Sequence, residues 1–258
     1  MNSLFAAHIN TRSLVANFDA FVTHLNLQKY DVIGVTETWL QNGDQENMVN
    51  VNSYKFLGKS RVTRRGGGVG LYIRQDIFCE TIFSVSLEFI ECLWVKLKLS
   101  PNNIVIMGIL YRPPNSDVTQ FLNYLEDVLS NLYSEYDDIL CLGDFNINML
   151  NTNVDSCSQL ESVFSLFNMS QIISEPTRVT ANSLSIIDLI YTNIESIVDS
   201  GVIDANISDH FLTFVKVGLN VQKSTSISFF YRSIRRINLQ EFQIDLEQIN
   251  WHAMLYLY

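Results

Sequence analysis

The chain has 258 residues, 47% of them hydrophobic, enough for one large domain or two small ones with a substantial core, and disorder throughout is excluded. Its 17 Lys plus Arg against 27 Asp plus Glu leave a net charge of −10, which excludes a generally basic nucleic-acid-binding surface but not a local basic patch or an acidic metal site. No apolar run approaches the roughly 18 residues of a membrane span, and MNSLFAAHINTRS lacks the basic start and long apolar centre of a signal peptide, so a soluble intracellular protein is expected.

In chain order, Leu14, Phe18, Phe21, Val22 and Leu25 recur at helical spacing and predict a first helix. Val32 to Thr36 comes next as a strand that runs into Glu37. Lys59, Arg61, Arg64 and Arg65 form the densest basic cluster, suited equally to gripping DNA phosphates and to a solvated loop. The adjoining RRGGGVG has no Lys-Ser or Lys-Thr after it, and the next segment, Val69 to Ile73, reads as a strand. A tight turn into that strand therefore displaces a phosphate-binding loop as the reading.

Leu93 to Leu99 and Ile104 to Tyr111 are two strands joined by SPNN as a hairpin. Asp117 with Gln120 three residues later has the form of a capping box and starts a second helix over Phe121, Leu122, Leu125, Val128 and Leu132. Ile139 to Leu142 is a buried strand that ends abruptly in GDFN. Ser158 and Glu161 repeat the helix start before Leu160, Val163, Phe164 and Phe167, and the strands Ile186 to Tyr191, Ile197 to Ile203 and Phe211 to Val217 complete the pattern. Cys79, Cys92, Cys141 and Cys157 are far apart, with no CxxC and no nearby His, and read as reduced core residues.

After Gly218 the texture changes. LNVQKSTSIS is polar and linker-like, and RINLQEFQIDLEQINW offers a short helix with Phe242, Leu246 and Ile249 on one face. The expected division is a main domain over 1–218 and a linker with a truncated helical segment over 219–258, the closing MLYLY looking more like a cut than a terminus. Hairpin-joined strands alternating with helix-separated ones predict a mixed α/β fold with sheets layered between helices.

Several strands end in polar residues: Glu37, Tyr111, Asp144 with Asn146, and Asp209 with His210 just before the last strand. Groups collected at strand ends can converge on one rim of a layered sheet, although a single Asp or Asn after a strand is more often a turn residue. The set carries more than its members. TETWL, YRPP, GDFN, SIIDLIY and SDH, in that order, resemble the endonuclease/exonuclease/phosphatase superfamily over about residues 5 to 218. HINTRSL, RRGGGVGLYIR and YRPPNSD are similar to the endonuclease domain of non-LTR retrotransposons, and the tail resembles the segment that leads into their reverse transcriptase.

The resemblance implies a four-layered α/β sandwich with two mixed, mainly antiparallel sheets. It implies that Asp144 activates the attacking water, that Asn146 holds that water or a phosphate oxygen, and that His210, oriented by Asp188, donates to a nonbridging phosphate oxygen while Tyr111 stabilises developing charge. Glu37 would ligate Mg2+ or Mn2+, with Asn10 beside it and Asp209 adding a metal contact or support. Arg112, Ser185, Arg64 and Arg65 are candidate substrate contacts. DNA is the implied partner, with element RNA and a reverse transcriptase supplied in trans, no membrane, and a nuclear site of action.

One departure stands out. Abasic-site repair endonucleases carry an acid two residues after the first-strand Asn, where this chain has Arg12, which weakens a second metal contact. Two other readings keep the fold: a catalytically inactive or co-opted retrotransposon remnant, and a phosphodiesterase acting on another phosphate ester.

Overall fold

A computed structural model describes residues 3–41, 47–61, 66–100, 103–151, 154–218 and 238–248. The chain forms two compact units, Met1–Val221 and Gln222–Tyr258. In the first, the elements run β1 (Ser3–Asn10), α1 (Phe18–Gln28), β2 (Val32–Thr36), β3 (Tyr54–Lys59), β4 (Val69–Arg74), β5 (Phe78–Ser86), β6 (Glu91–Ser100), β7 (Asn103–Tyr111), α2 (Val118–Glu135), β8 (Ile139–Asp144), α3 (Asp155–Ser165), β9 (Ser170–Gln171), β10 (Arg178–Thr180), β11 (Ser183–Ser185), β12 (Asp188–Thr192), β13 (Ile197–Ile203) and β14 (Leu212–Gly218).

They build two six-stranded sheets, β13-β14-β1-β2-β4-β3 and β5-β6-β7-β8-β12-β9, with β10-β11 as a separate hairpin. Among the described residues, β1 with β2 and β7 with β8 pair in parallel, each pair separated in sequence by a helix, and the other pairings are antiparallel. Strand alternation assigns the faces. Ala7 and Ile9 of β1 and Ile33 and Val35 of β2 share a core with Phe21 and Leu25 of α1. Their neighbour Gly34 faces the second sheet so closely that an added Cβ would lie 2.7 Å from the tips of Ile109 and Leu142. Beyond the second sheet, Phe121 of α2 meets Phe145 edge-on, and Phe164 of α3 stacks on Tyr191 with ring centroids 3.6 Å apart. The order is therefore helix, sheet, sheet, helices, as a four-layered α/β sandwich requires.

This topology creates the rim. The carboxyl ends of β1, β2, β7 and β8 and the amino ends of β12 and β14 fall on one edge, because β12 runs antiparallel to β8 and β14 antiparallel to β1. Register makes the point concrete: Tyr111 lies opposite Asp144, and Asp144 opposite Asp188.

Several local expectations need correction. The first helix starts at Phe18, so Leu14 is buried in the preceding turn and not on the helix. Asp117 does cap α2, accepting from the Gln120 amide at 3.0 Å, but Ser158 lies inside α3, which begins at Asp155 with no side-chain cap. β1, β3 and β5 are strands beyond those the sequence pattern predicts. β1 is buried on both faces and rich in Ala, and β3 and β5 are half-exposed edge strands without clean alternation. β6 and β7 pair antiparallel as a hairpin should, with residues 101–102 of its turn outside the described residues. Gly66, Gly67 and Gly68 all have positive φ and turn the chain into β4. All four cysteines are free, Cys79 only half-buried.

In the second unit Leu239–Gln248 forms the helix α4; its expected apolar residues Phe242, Leu246 and Ile249 lie outside the described side chains. Among the described residues no helix is long and apolar enough to cross a membrane.

Candidate active site

Six side chains from six strand ends meet at the rim. Asn10 Nδ2 donates to Glu37 Oε1 at 2.9 Å and to Asp144 Oδ2 at 2.8 Å, so one amide ties the two sheets together through their acids. Tyr111 Oη donates to Glu37 Oε1 at 3.3 Å and Trp39 Nε1 to Oε2 at 3.2 Å. On the other side His210 Nδ1 lies 2.8 Å from Asp188 Oδ2, which also accepts from Thr177 Oγ1 at 2.8 Å. With Nδ1 committed to the carboxylate, the ring's Nε2 is the nitrogen left for a ligand.

Glu37 and Trp39, at φ 50 and 54, are held in left-handed backbone, as is Asn146 at φ 47. Such conformations persist only where the surroundings impose them. Asn146 is tied from both ends, its amide donating to Asp144 Oδ1 at 3.0 Å and its Nδ2 to the Arg112 carbonyl at 2.9 Å. Its Oδ1 can accept from a water, and its second Nδ2–H is the donor it can offer to a phosphate oxygen.

Burial sets the electrostatics. It pushes the Asp144 carboxyl up to about 7, helped by the charge of Asp188 and opposed by His210 and the Asn10 bond. Burial works against a charged His210, yet the Asp188 charge and hydrogen bond, with Asp144 and Asp209 nearby, raise its pKa to about 9. The imidazolium is thus the form present at neutral pH. Burial, then Glu37 and Asp144, raise the Tyr111 phenol, which stays protonated and able to donate.

The donors fit a hard divalent cation. Glu37 and Asp144 present carboxylate oxygens on either side of one amide, and Asp144, buried without a cation, is held toward its neutral form. Asp144, Asp188 and His210 also offer atoms within 4.8 Å of one another, but His210 Nδ1 is taken by Asp188 Oδ2, and an imidazolium has no lone pair for a metal. Glu37 with Asp144 is the better pair.

Other expected residues fall elsewhere. Asp209, expected as a metal contact, has both oxygens in ion pairs, with Arg12 Nη1 at 3.0 Å and Arg178 Nη2 at 2.8 Å. Arg112 is buried and does not face solvent as a substrate contact would: its guanidinium donates to the carbonyls of Phe145, Asn146 and Ser116 at 2.8, 2.8 and 2.9 Å. It braces the GDFN turn. Arg112→Ala is expected to cost about 2–4 kcal/mol in a urea melt, since three carbonyls lose a charged donor, and to lower turnover in whatever protein remains folded. Arg61 is likewise internal, paired with buried Glu91 and lying over the Tyr111 ring. Ser185 ends β11 half-exposed, while Arg64 and Arg65 lie outside the described residues.

Residues that sequence reasoning misses include Thr177, which holds Asp188, and Glu91, which anchors Arg61 and accepts from the Gly68 amide. Buried His8 is a third. Its pKa is lowered to about 4, chiefly by burial, and its Nδ1 and Asp188 Oδ1 face each other 3.7 Å apart, both without a hydrogen bond. Thr177 and Glu91 carry no motif signal, and His8 opens HINTRSL without being singled out by it; each is identified by what it touches.

The comparison with known families matches residues 5–210 to the endonuclease/exonuclease/phosphatase family. Among solved structures, the endonuclease domain of TRAS1, a telomere-specific non-LTR retrotransposon, superposes with a TM-score of 0.69 at 12% identity, covering 85% of this chain and 100% of that one. The AP endonuclease LMAP from Leishmania major gives 0.68 at 14%, covering 84% and 88%, and ANGEL2, a 2′,3′-cyclic phosphatase, 0.64 at 13%, covering 85% and 96%. At these identities the likeness is one of fold. No curated protein matches by sequence.

Proposed function

Because the chain belongs to the endonuclease/exonuclease/phosphatase family, whose members are phosphodiester-cleaving hydrolases, we propose that it is a divalent-cation-dependent endonuclease that nicks DNA, the activity by which a non-LTR retrotransposon opens its target. The observation that carries this reading is the unbroken run of hydrogen bonds Tyr111–Glu37–Asn10–Asp144 facing the Thr177–Asp188–His210 set across one rim.

Each group has a task that its geometry supports. Asp144, fixed by the Asn10 and Asn146 donors, takes a proton from the attacking water as that water adds to phosphorus. His210, held charged by Asp188, presents Nε2–H to a nonbridging phosphate oxygen, and the protonated Tyr111 phenol donates to the charge that develops there. The P–O3′ bond breaks as the new P–O bond forms, leaving a 5′ phosphate; the 3′ oxygen takes up a proton from solvent while Asp144 returns its proton to solvent, which yields a 3′ hydroxyl able to prime polymerisation. Glu37 with Asp144 would hold magnesium or manganese, which supplies neutralisation of charge on the phosphate and the leaving oxygen. On this reading the partners are DNA, element RNA and a reverse transcriptase supplied in trans, and the place of action is the nucleus.

The test is relaxation of supercoiled plasmid by the full chain with magnesium, with manganese and with chelator. Open circles that appear only with a cation are expected. Intact plasmid from folded protein that hydrolyses a cyclic or small phosphodiester would move the activity to another ester, and silence on both substrates would make the chain a remnant.

A further inference from the structure

Arg12 lies just past the strand that carries Asn10, and its turn is tied to the site: the Arg12 amide donates to Asn10 Oδ1 at 3.1 Å and the Ser13 amide to the Glu37 carbonyl at 2.9 Å. Both residues have positive φ, 42 and 92, so the turn is shaped by these bonds and not by preference. Arg178 arrives from the opposite side. It opens the β10-β11 hairpin and forms an antiparallel bridge with His210, and beside that bridge the Phe211 amide donates to the Thr177 carbonyl at 2.6 Å.

The two guanidiniums meet on one carboxylate. Arg12 Nη1 reaches Asp209 Oδ1 at 3.0 Å, and Arg178 Nε and Nη2 reach Oδ2 at 2.9 and 2.8 Å. Two cations on one anion leave a net positive charge, at side chains 48% exposed for Arg12 and 36% for Arg178. Arg12 Nε and Nη2 and Arg178 Nη1 have no protein partner among the described residues. Arg12 lies within the field of Glu37, and Arg178 bridges His210, the partner of Asp188, in a chain of net charge −10 that repels a polyanion. A strand of nucleic acid can approach such a rim only if positive charge is fixed beside it, and the guanidinium fork suits phosphate oxygens.

We propose that Arg12 and Arg178, pinned by Asp209, are the contacts that hold backbone phosphates flanking the scissile bond, with Asp209 a positioning residue for them and not a metal ligand. This rests on the nuclease reading above. It also accounts for an arginine two residues after Asn10: the site carries a built-in cation where an acid would recruit one.

The test is binding of a labelled duplex to the full chain by fluorescence anisotropy in chelator, between about 50 and 200 mM salt, alongside plasmid nicking with magnesium. Arg12→Gln and Arg178→Gln should each reduce the slope of log affinity against log salt by about 0.9 and raise the KM for nicking about tenfold at physiological salt. Lys98→Gln removes the same charge at the far end of β6 and should leave the slope unchanged. Asp209→Asn should weaken affinity several-fold without changing the magnesium concentration for half-maximal nicking. The proposal is overturned if wild type nicks and both arginine variants keep its slope, or if Asp209→Asn raises the magnesium requirement tenfold at unchanged affinity. A wild-type chain that neither binds nor nicks removes the nuclease reading, and this inference with it.

Discussion

Asp144→Asn is expected to lower nicking on the order of 10³-fold while the chain stays folded. The substitution keeps the size of the side chain and an oxygen for the Asn146 amide, which donates to Oδ1 at 3.0 Å, but removes the carboxylate assigned to take a proton from water. The same change has a signature in stability. Asp144 is buried, with its carboxyl raised from 3.8 to about 7, so in metal-free protein the folded state holds a proton that the unfolded state has released. Its contribution is therefore fully present below about 4 and is lost as pH rises through about 7. The amide of the variant cannot titrate. Melting in chelator should show the variant gaining on wild type between pH 4 and 7, by on the order of a few kcal/mol, whatever the offset at the start from the altered Asn10 contact. Equal nicking by the two proteins, or a melting difference flat across that range, would remove Asp144 from its assigned place.

The same residue shows what is legible in the sequence. An apolar run ending in Gly-Asp-Phe-Asn identifies both a buried strand and a polar group at its end, and the parallel β1–β2 and β7–β8 pairs then bring four such ends together. Tyr111 and Asp144 are both legible as polar strand ends, and the β7–β8 register then sets them opposite each other. Arg112 cannot. Next to YRPP it reads as a substrate contact, and only the fold of the GDFN turn back over it, with the Phe145 and Asn146 carbonyls 2.8 Å from its guanidinium, makes it internal. The ion pairs of Asp209 are hidden from the sequence for a related reason. Beside His210, Asp209 reads as part of a metal site, but its partners are 197 residues and 31 residues away in sequence, and the second lies in a hairpin that no sequence signal announces. Side-chain type and strand position are local properties; the partner that decides a charge's role is not.

Gly143→Ala is expected to fail in the opposite manner to its neighbour, by loss of the fold. Gly143 sits opposite Leu110 in the β7–β8 ladder at φ 153, and a Cβ there would lie 1.9 Å from the Leu110 carbonyl oxygen and 2.7 Å from its carbon. These are backbone atoms of a strand hydrogen-bonded on both sides, to β6 and to β8, so no rotamer change relieves the collision. Gly34→Ala meets only the tips of Ile109 and Leu142, at 2.7 Å, and side-chain tips can move. A destabilisation of about 4 kcal/mol or more, or no soluble protein, is expected for Gly143→Ala in denaturant melts, against a loss nearer 1–3 kcal/mol for Gly34→Ala. Wild-type melting by Gly143→Ala would show that β7 and β8 are not in this register. The consequence reaches the chemistry, because the peptide after Gly143 sets where the Asp144 carboxylate stands between Asn10 and Asp188. A glycine that lets two strands close without a side chain between them is thus the physical condition for an acid at that rim, and adjacent substitutions separate the two requirements: Gly143→Ala removes the platform, Asp144→Asn the reaction on it.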